Sequence, residues 1–203
     1  MAKRTNAERR IQQQLANLTV MDIREALRKW FDALPEGDLK ALRDKSIIAL
    51  IALHGLQRVE IVRLNLSDLI DDPDGVLALR VAVNGGKFRV VKLVAETTGL
   101  IRRYLSALQR SKFEPKEDAL GVPLFVSLGK GNGKRLTLTG LDNIVNEAIR
   151  KAGIKRKGIS CRSLHHLFGI LAVTMMTPDI DLAAHLSRQD IATTPTYLTK
   201  RQR

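Results

Sequence analysis

Residues 76–93 read VLALRVAVNGGKFRVVKL, and the pattern of this stretch differs from that of the sequence around it. Val76–Val83 and Lys87–Leu93 are rich in β-branched residues, and Asn84-Gly85-Gly86 lies between them. Two such runs joined by an Asn-Gly turn are typical of an antiparallel hairpin. The sequence therefore predicts one small antiparallel sheet at this position.

On both sides of the hairpin, apolar residues recur at helical spacing. Asp38 has a side chain suited to an N-cap, and Pro35-Glu36-Gly37 interrupts the pattern before it. The predicted helices cover about residues 22–31, 38–54, 58–64, 96–109, 139–152, 163–176 and 180–186. We therefore predict a mainly α fold of the α+β type. Residues 1–35 form an N-terminal helical arm or linker, and residues 36–203 form the main domain.

The charge of the chain indicates a polyanionic partner. Lys and Arg number 34 against 21 Asp and Glu, which gives a formal net charge of +13 at pH 7. Such an excess favours nucleic acid, because neutralising phosphates releases counterions. Only 4% of the residues are aromatic, which argues against stacking of bases on aromatic side chains. A solvated basic surface without a partner is the alternative interpretation.

The same sequence argues against several other classes of protein. No apolar stretch approaches the roughly 20 residues that a membrane helix needs, and the first residues are not a signal peptide. A single Cys161 excludes a disulfide framework and a thiolate metal cluster. No His pair has metal-ligand spacing, and Gly129–Lys134 lacks the spacing of a phosphate-binding loop. We expect a cytoplasmic, DNA-associated protein with no metal and no organic cofactor.

Three ordered segments underlie a family resemblance. The first is GLQRVEIVRL at residues 55–64, followed by Leu66-Ser67-Asp68-Leu69. The second is GKFRVVKL at residues 86–93, followed by Pro123-Leu124-Phe125. The third is RSLHH at residues 162–166, followed by LSRQDIATTPTY at residues 186–197. In this order and spacing, about residues 38–197 resemble the catalytic domain of the tyrosine recombinases, the phage integrase family.

The resemblance implies a chemistry. In this family a tyrosine hydroxyl attacks a DNA phosphodiester and leaves a 3′-phosphotyrosyl link and a free 5′-hydroxyl, without metal or ATP. Two arginines neutralise the phosphate oxygens in the transition state, and a lysine protonates the leaving oxygen. By this resemblance, residues 36–203 are the catalytic domain and Tyr197 occupies the position of the nucleophile.

Other site positions depart from the family's pattern. The first arginine falls on Gln57, with Arg58 one place later, about 100° further around a helix. Arg162 and His165 occupy the usual His and Arg positions, an apparent exchange, and Arg188 occupies the later His or Trp position. Each lost donor costs roughly 3–4 kcal/mol of barrier. We therefore expect weak or absent strand cleavage by this chain alone, in a phosphate pocket that remains cationic.

The hairpin lysine is not fixed by spacing. Lys87 is the nearest candidate, since the stricter register falls on Asn84. A solvated turn lysine is an equally good interpretation of Lys87. Arg162 is in the same way either a phosphate ligand or a solvated charge. His165 and His166 are more readily one buried core histidine and one exposed histidine than two catalytic groups.

Three functional hypotheses follow. The first is a DNA-binding protein of the tyrosine recombinase family that acts in DNA recombination or integration. The alternative is a non-catalytic DNA-binding accessory factor that occupies recombination sites. A basic RNA- or DNA-binding module is the third. The expected partner is double-stranded DNA, on which a second copy of the chain or a partner recombinase would assemble.

Overall fold

The structure, a computed structural model, describes residues 37–71, 76–82, 87–129 and 133–151, together with Glu25, Arg28, Asp32 and Gly153. Within these residues the elements are α1 (Leu39–His54), α2 (Arg58–Arg63), a 3-10 turn (Leu66–Asp68), β1 (Leu69–Asp71), β2 (Leu77–Ala82), β3 (Phe88–Lys92), α3 (Ala95–Gln109) and α4 (Leu138–Lys151). The prediction of a mainly helical fold with one small antiparallel sheet is confirmed. The helices predicted over 163–176 and 180–186 lie outside the described residues, as does most of the helix predicted over 22–31.

α1 begins and ends close to its predicted bounds, because its capping residues are strong local signals. The Asp38 side chain accepts a hydrogen bond from the Lys40 N–H at 3.3 Å. Gly55 ends the helix in the left-handed region, with φ 64°, where a residue with a Cβ would be strained by about 1–2 kcal/mol. The helix is buried from Ala41 to Ala52, so it forms the centre of the domain.

The sheet contains one more strand than predicted. β2 and β3 pair antiparallel, with Val81 opposite Arg89 and Leu79 opposite Val91, which confirms the predicted hairpin. β1 adds a third strand beside β2. Asp71 ends β1 opposite Leu77, although the run DDPDG at residues 71–75 is typical of a turn. Three residues are too few to show the alternation that marks a strand.

The segment after α3 packs into the core as extended chain. The Leu124 N–H donates to the Leu64 carbonyl at 2.9 Å, and the Leu136 N–H donates to the Phe125 carbonyl at 3.1 Å. The rings of Tyr104 and Phe125 stack with centroids 5.5 Å apart. Tyr104 is fully buried, and its hydroxyl donates to the Leu124 carbonyl at 3.2 Å.

Candidate functional site

The described residues include the candidates Gln57, Arg58 and Lys87. The other candidates, Tyr197, Arg162, His165 and Arg188, lie outside the described residues, as does Asn84. The convergence of these residues on one basic face therefore stays a prediction. The geometry that the structure does provide concerns the start of α2 and the hairpin strand that faces it.

Gln57 and Arg58 occupy the junction between α1 and α2. Gln57 is the N-cap of α2, with extended backbone at φ −78° and ψ 151°, and Arg58 is the first residue of the helix. Both residues are exposed. The expectation that they differ by about 100° around one helix is wrong, because that rotation requires both residues to lie within the helix.

Glu60 connects this junction to the hairpin. Its Oε2 accepts a hydrogen bond from the Gln57 N–H at 2.7 Å. Both of its carboxylate oxygens lie 3.1 Å from a single nitrogen, Arg89 Nη2. The two charged side chains are 9% and 12% exposed. The ion pair therefore holds β3 against α2 and brings together the first two of the three motif segments.

Sequence reasoning missed Arg89 as a site residue. It lies between the exposed Phe88 and Val90 and shares a strand face with the buried Val91. Because alternate residues of a strand share a face, this alternation is the signal that predicts an inward-facing arginine. Its partner Glu60 is 29 positions away in the chain, and no local pattern identifies such a pair.

Arg58 contacts a carboxylate on another helix. Its Nη1 lies 2.6 Å from Asp142 Oδ2 of α4, and the two side chains are 49% and 33% exposed. An ion pair this exposed contributes little to stability, at most about 1 kcal/mol. Arg58 is therefore able to exchange Asp142 for a phosphate at little cost.

Lys87 is exposed and directly precedes β3. Its ammonium forms no ion pair with any carboxylate in the described part of the chain. A long, solvated lysine at the end of a strand is compatible with both interpretations from the sequence, the proton donor and the turn lysine.

Arg135 is a second arginine that the sequence analysis did not single out, and its role is structural. Its guanidinium donates to both Asp118 oxygens, at 2.6 and 2.9 Å, and to Asn65 Oδ1 at 2.8 Å. It also donates to the carbonyls of Val62 and Leu64 at 3.1 Å and of Gly121 at 3.0 Å. The hydrogen bond from Arg135 lowers the pKa of the Asp118 carboxyl. These contacts fix the chain after α2 to the loops at residues 118–121 and 133–136.

The described surface retains many cations after its ion pairs are formed. Lys40, Arg80 and Lys151 are paired with carboxylates, as is Arg58. In residues 37–151 as described, the exposed cations without an ion pair are Arg63, Lys87, Lys92, Arg103, Arg110, Lys112, Lys116, Lys134 and Arg150. Such side chains are available to neutralise phosphates.

The described residues contain no group of His, Cys, Asp and Glu side chains arranged to hold a metal ion. Among the helices in the same residues, none combines the length and the apolar character needed to span a bilayer.

Comparisons with known proteins agree on one family. The model of the phage integrase family matches residues 18–203. Tyrosine recombinase XerH of Campylobacter jejuni is 29% identical over 150 residues, which cover 73% of this chain and 39% of that protein. Tyrosine recombinase XerD of Caulobacter vibrioides is 32% identical over 161 residues, which cover 78% and 50%. The chain thus spans half or less of the length of these relatives.

Solved structures show the same fold. XerH bound to a palindromic difH substrate, in a post-cleavage complex, matches with a TM-score of 0.73 and 21% identity over 88% of this chain and 48% of that chain. XerA recombinase matches with a TM-score of 0.68 and 21% identity over 85% and 57%. The integrase of transposon Tn1549, in complex with transposon right end DNA, matches with a TM-score of 0.67 and 14% identity over 86% and 58%.

Proposed function

The chain belongs to the phage integrase family, and on that premise we propose that it binds double-stranded DNA and acts in DNA recombination. The observation that carries the proposal is the family match over residues 18–203, which includes all three motif segments. The net charge of +13 and the unpaired cations of the described surface support duplex DNA as the partner.

Tyr197 is the nucleophile in this proposal. The chain has two tyrosines, and Tyr104 is unsuited to the role, because it is fully buried and burial raises its pKa to about 12. The Tyr197 hydroxyl would lose its proton to solvent as its oxygen bonds to the phosphorus, and the 5′-oxygen of the next nucleotide would leave as a hydroxyl after gaining a proton. Lys87 is the proposed source of that proton.

We further propose that cleavage by this chain alone is weak or absent. The resemblance puts the family's first arginine at Gln57, which is uncharged, and Arg58 lies one position further along the chain. His165 stands at the second arginine position, and an imidazole lacks the permanent charge and the five donors of a guanidinium. Arg162 and Arg188 add positive charge, but they stand where the family has other donors. These departures should therefore weaken DNA strand cleavage more than they weaken DNA binding.

The alternative function is an accessory factor that occupies recombination sites without cutting DNA. The uncharged Gln57 at the start of α2 favours it. The Thr193-Thr194-x-x-Tyr197 motif favours retained cleavage. The two functions differ in whether a covalent protein–DNA adduct forms.

Titration of labelled duplex DNA at several salt concentrations tests the proposal that both functions share. Log affinity should fall with log salt by about 0.9 for each phosphate neutralised, so several contacts give a steep line. A single-stranded RNA of equal length is the matched competitor. A flat salt response, or tighter binding of the RNA, would contradict the proposed function.

A further inference from the structure

Arg89 contains two buried nitrogens, Nε and Nη1, that have no hydrogen-bond partner, and no other buried side-chain nitrogen or oxygen of the described residues shares this state. Glu60 contacts only the third nitrogen, Nη2, with both of its oxygens. We propose that Arg89 is a DNA-phosphate ligand that donates one of its unpartnered N–H groups to a phosphate at the start of α2. This inference rests on the proposed function.

The burial of these donors is the first argument. A buried polar group without a partner costs about 1–3 kcal/mol, and more when the group is charged. Most buried polar groups are therefore paired, and an exception needs an explanation, of which a bound anion is one. The Arg89 side chain is 12% exposed, but Nε and Nη1 themselves are buried, so a phosphate reaches them only when this side chain shifts. A phosphate is the acceptor that suits a guanidinium best, because it carries full charge and several oxygens.

The position of the guanidinium is the second argument. The Gln57 N–H and Arg89 Nη2 bind the same oxygen, Glu60 Oε2, at 2.7 and 3.1 Å. Arg89 therefore lies one carboxylate away from the uncharged Gln57. A phosphate that approaches the start of α2 would meet the Arg89 guanidinium beside this glutamine. Arg89 would supply positive charge from the hairpin at a place where Gln57 supplies none.

The ion pair with Glu60 is also the competing explanation, since a purely structural Arg89 would need no phosphate. Substitutions that separate the two roles are available. Arg89→Gln removes the charge, whereas Arg89→Lys keeps a charge and still disturbs the geometry with Glu60. The double variant Glu60→Gln/Arg89→Gln removes both buried charges and leaves the net charge unchanged. The double variant therefore replaces Arg89→Gln if that single variant does not fold. Because its net charge equals that of the wild type, it separates the loss of one phosphate contact from a change in the total charge of the protein.

The experiment measures the salt dependence of binding to one labelled duplex DNA for the wild type and the three variants, each shown to be folded by circular dichroism. We expect Arg89→Gln and the double variant to lower the slope of log affinity against log salt by about 0.9, the value for one phosphate. Arg89→Lys should keep the slope of the wild type.

Wild-type slopes in both Arg89→Gln and the double variant would overturn this inference and leave the proposed function intact. Failure of the wild type to bind duplex DNA would overturn the proposed function and this inference together. A loss of affinity shared equally by Lys and Gln at position 89, with unchanged slopes, would assign Arg89 a structural role only.

Discussion

At the scale of single residues, the described arginines serve different purposes that their sequence context does not distinguish. Arg43 is buried and binds Asp44 Oδ1 through Nη2 at 2.7 Å and the Val126 carbonyl through Nη1 at 3.0 Å. Arg135 joins three segments of chain. Arg103, in contrast, is exposed on α3. A net charge therefore overstates the number of side chains available to DNA.

The first prediction concerns Arg135. We expect Arg135→Met to lower the free energy of unfolding by at least about 2 kcal/mol, because carbonyls that lose a buried donor cost about 1–3 kcal/mol each. Arg103→Met, the matched control on the surface of α3, should change it by no more than about 0.5 kcal/mol. Urea unfolding measures both. Equal effects of the two substitutions would show that the Arg135 contacts contribute nothing to stability.

The second prediction concerns the pH dependence of the same cluster. Arg135 lowers the pKa of Asp118 in the folded chain, so the ionised carboxylate is stabilising. This contribution is fully present above the unfolded pKa of about 3.9 and is lost as the pH falls through the lower folded pKa. Asp118→Asn should therefore be less stable than the wild type at neutral pH, and the difference should shrink in acid. Thermal unfolding between neutral and acidic pH tests this, and parallel curves would contradict it.

At the scale of elements, two glycines in different backbone conformations give the third prediction. Gly133 has φ +81°, and a Cβ there would clash with the Glu114 carbonyl oxygen. Gly99 lies within α3 with open space around the position of a Cβ. Gly133→Ala should destabilise by more than about 2 kcal/mol, whereas Gly99→Ala should stabilise by about 0.5–1 kcal/mol. Urea unfolding measures both free energies. If Gly99→Ala destabilised the protein, the position of a Cβ at residue 99 would not be open space as described.

The elements that could be predicted are those with local signals. Asp38 and Gly55 mark the ends of α1, and the β-branched runs mark β2 and β3. β1 escaped prediction because three residues show no periodicity. The Glu60–Arg89 pair and the contacts of Arg135 escaped it because they join residues far apart in sequence, whose proximity only the packed chain creates.

At the scale of the whole molecule, the family's fold and the surface charge support DNA binding. The departures at the site positions make DNA cleavage weaker than DNA binding in the proposed function. The resemblance predicted the family, and the match over residues 18–203 confirms it. The roles of Tyr197, Arg162, His165 and Arg188 remain predictions, because those residues lie outside the described part of the chain. The start of α2 contributes an uncharged Gln57 to the proposed phosphate pocket, and β3 contributes Arg89, which is paired only through Nη2.

Trapping of a covalent protein–DNA adduct tests the central claim, that the chain has kept DNA binding while its cleavage is weak or absent. A pool of nicked duplexes of randomised sequence serves as substrate, so that no target site need be known. We expect little or no adduct from the wild type, since two altered arginine positions lower the rate by roughly 10⁴–10⁶. We expect more adduct from the triple variant Gln57→Arg/Arg162→His/His165→Arg, and no adduct once Tyr197→Phe is added to it. Abundant adduct from the wild type, with no gain in the triple variant, would contradict the claim and show that the exchanged residues form a working site.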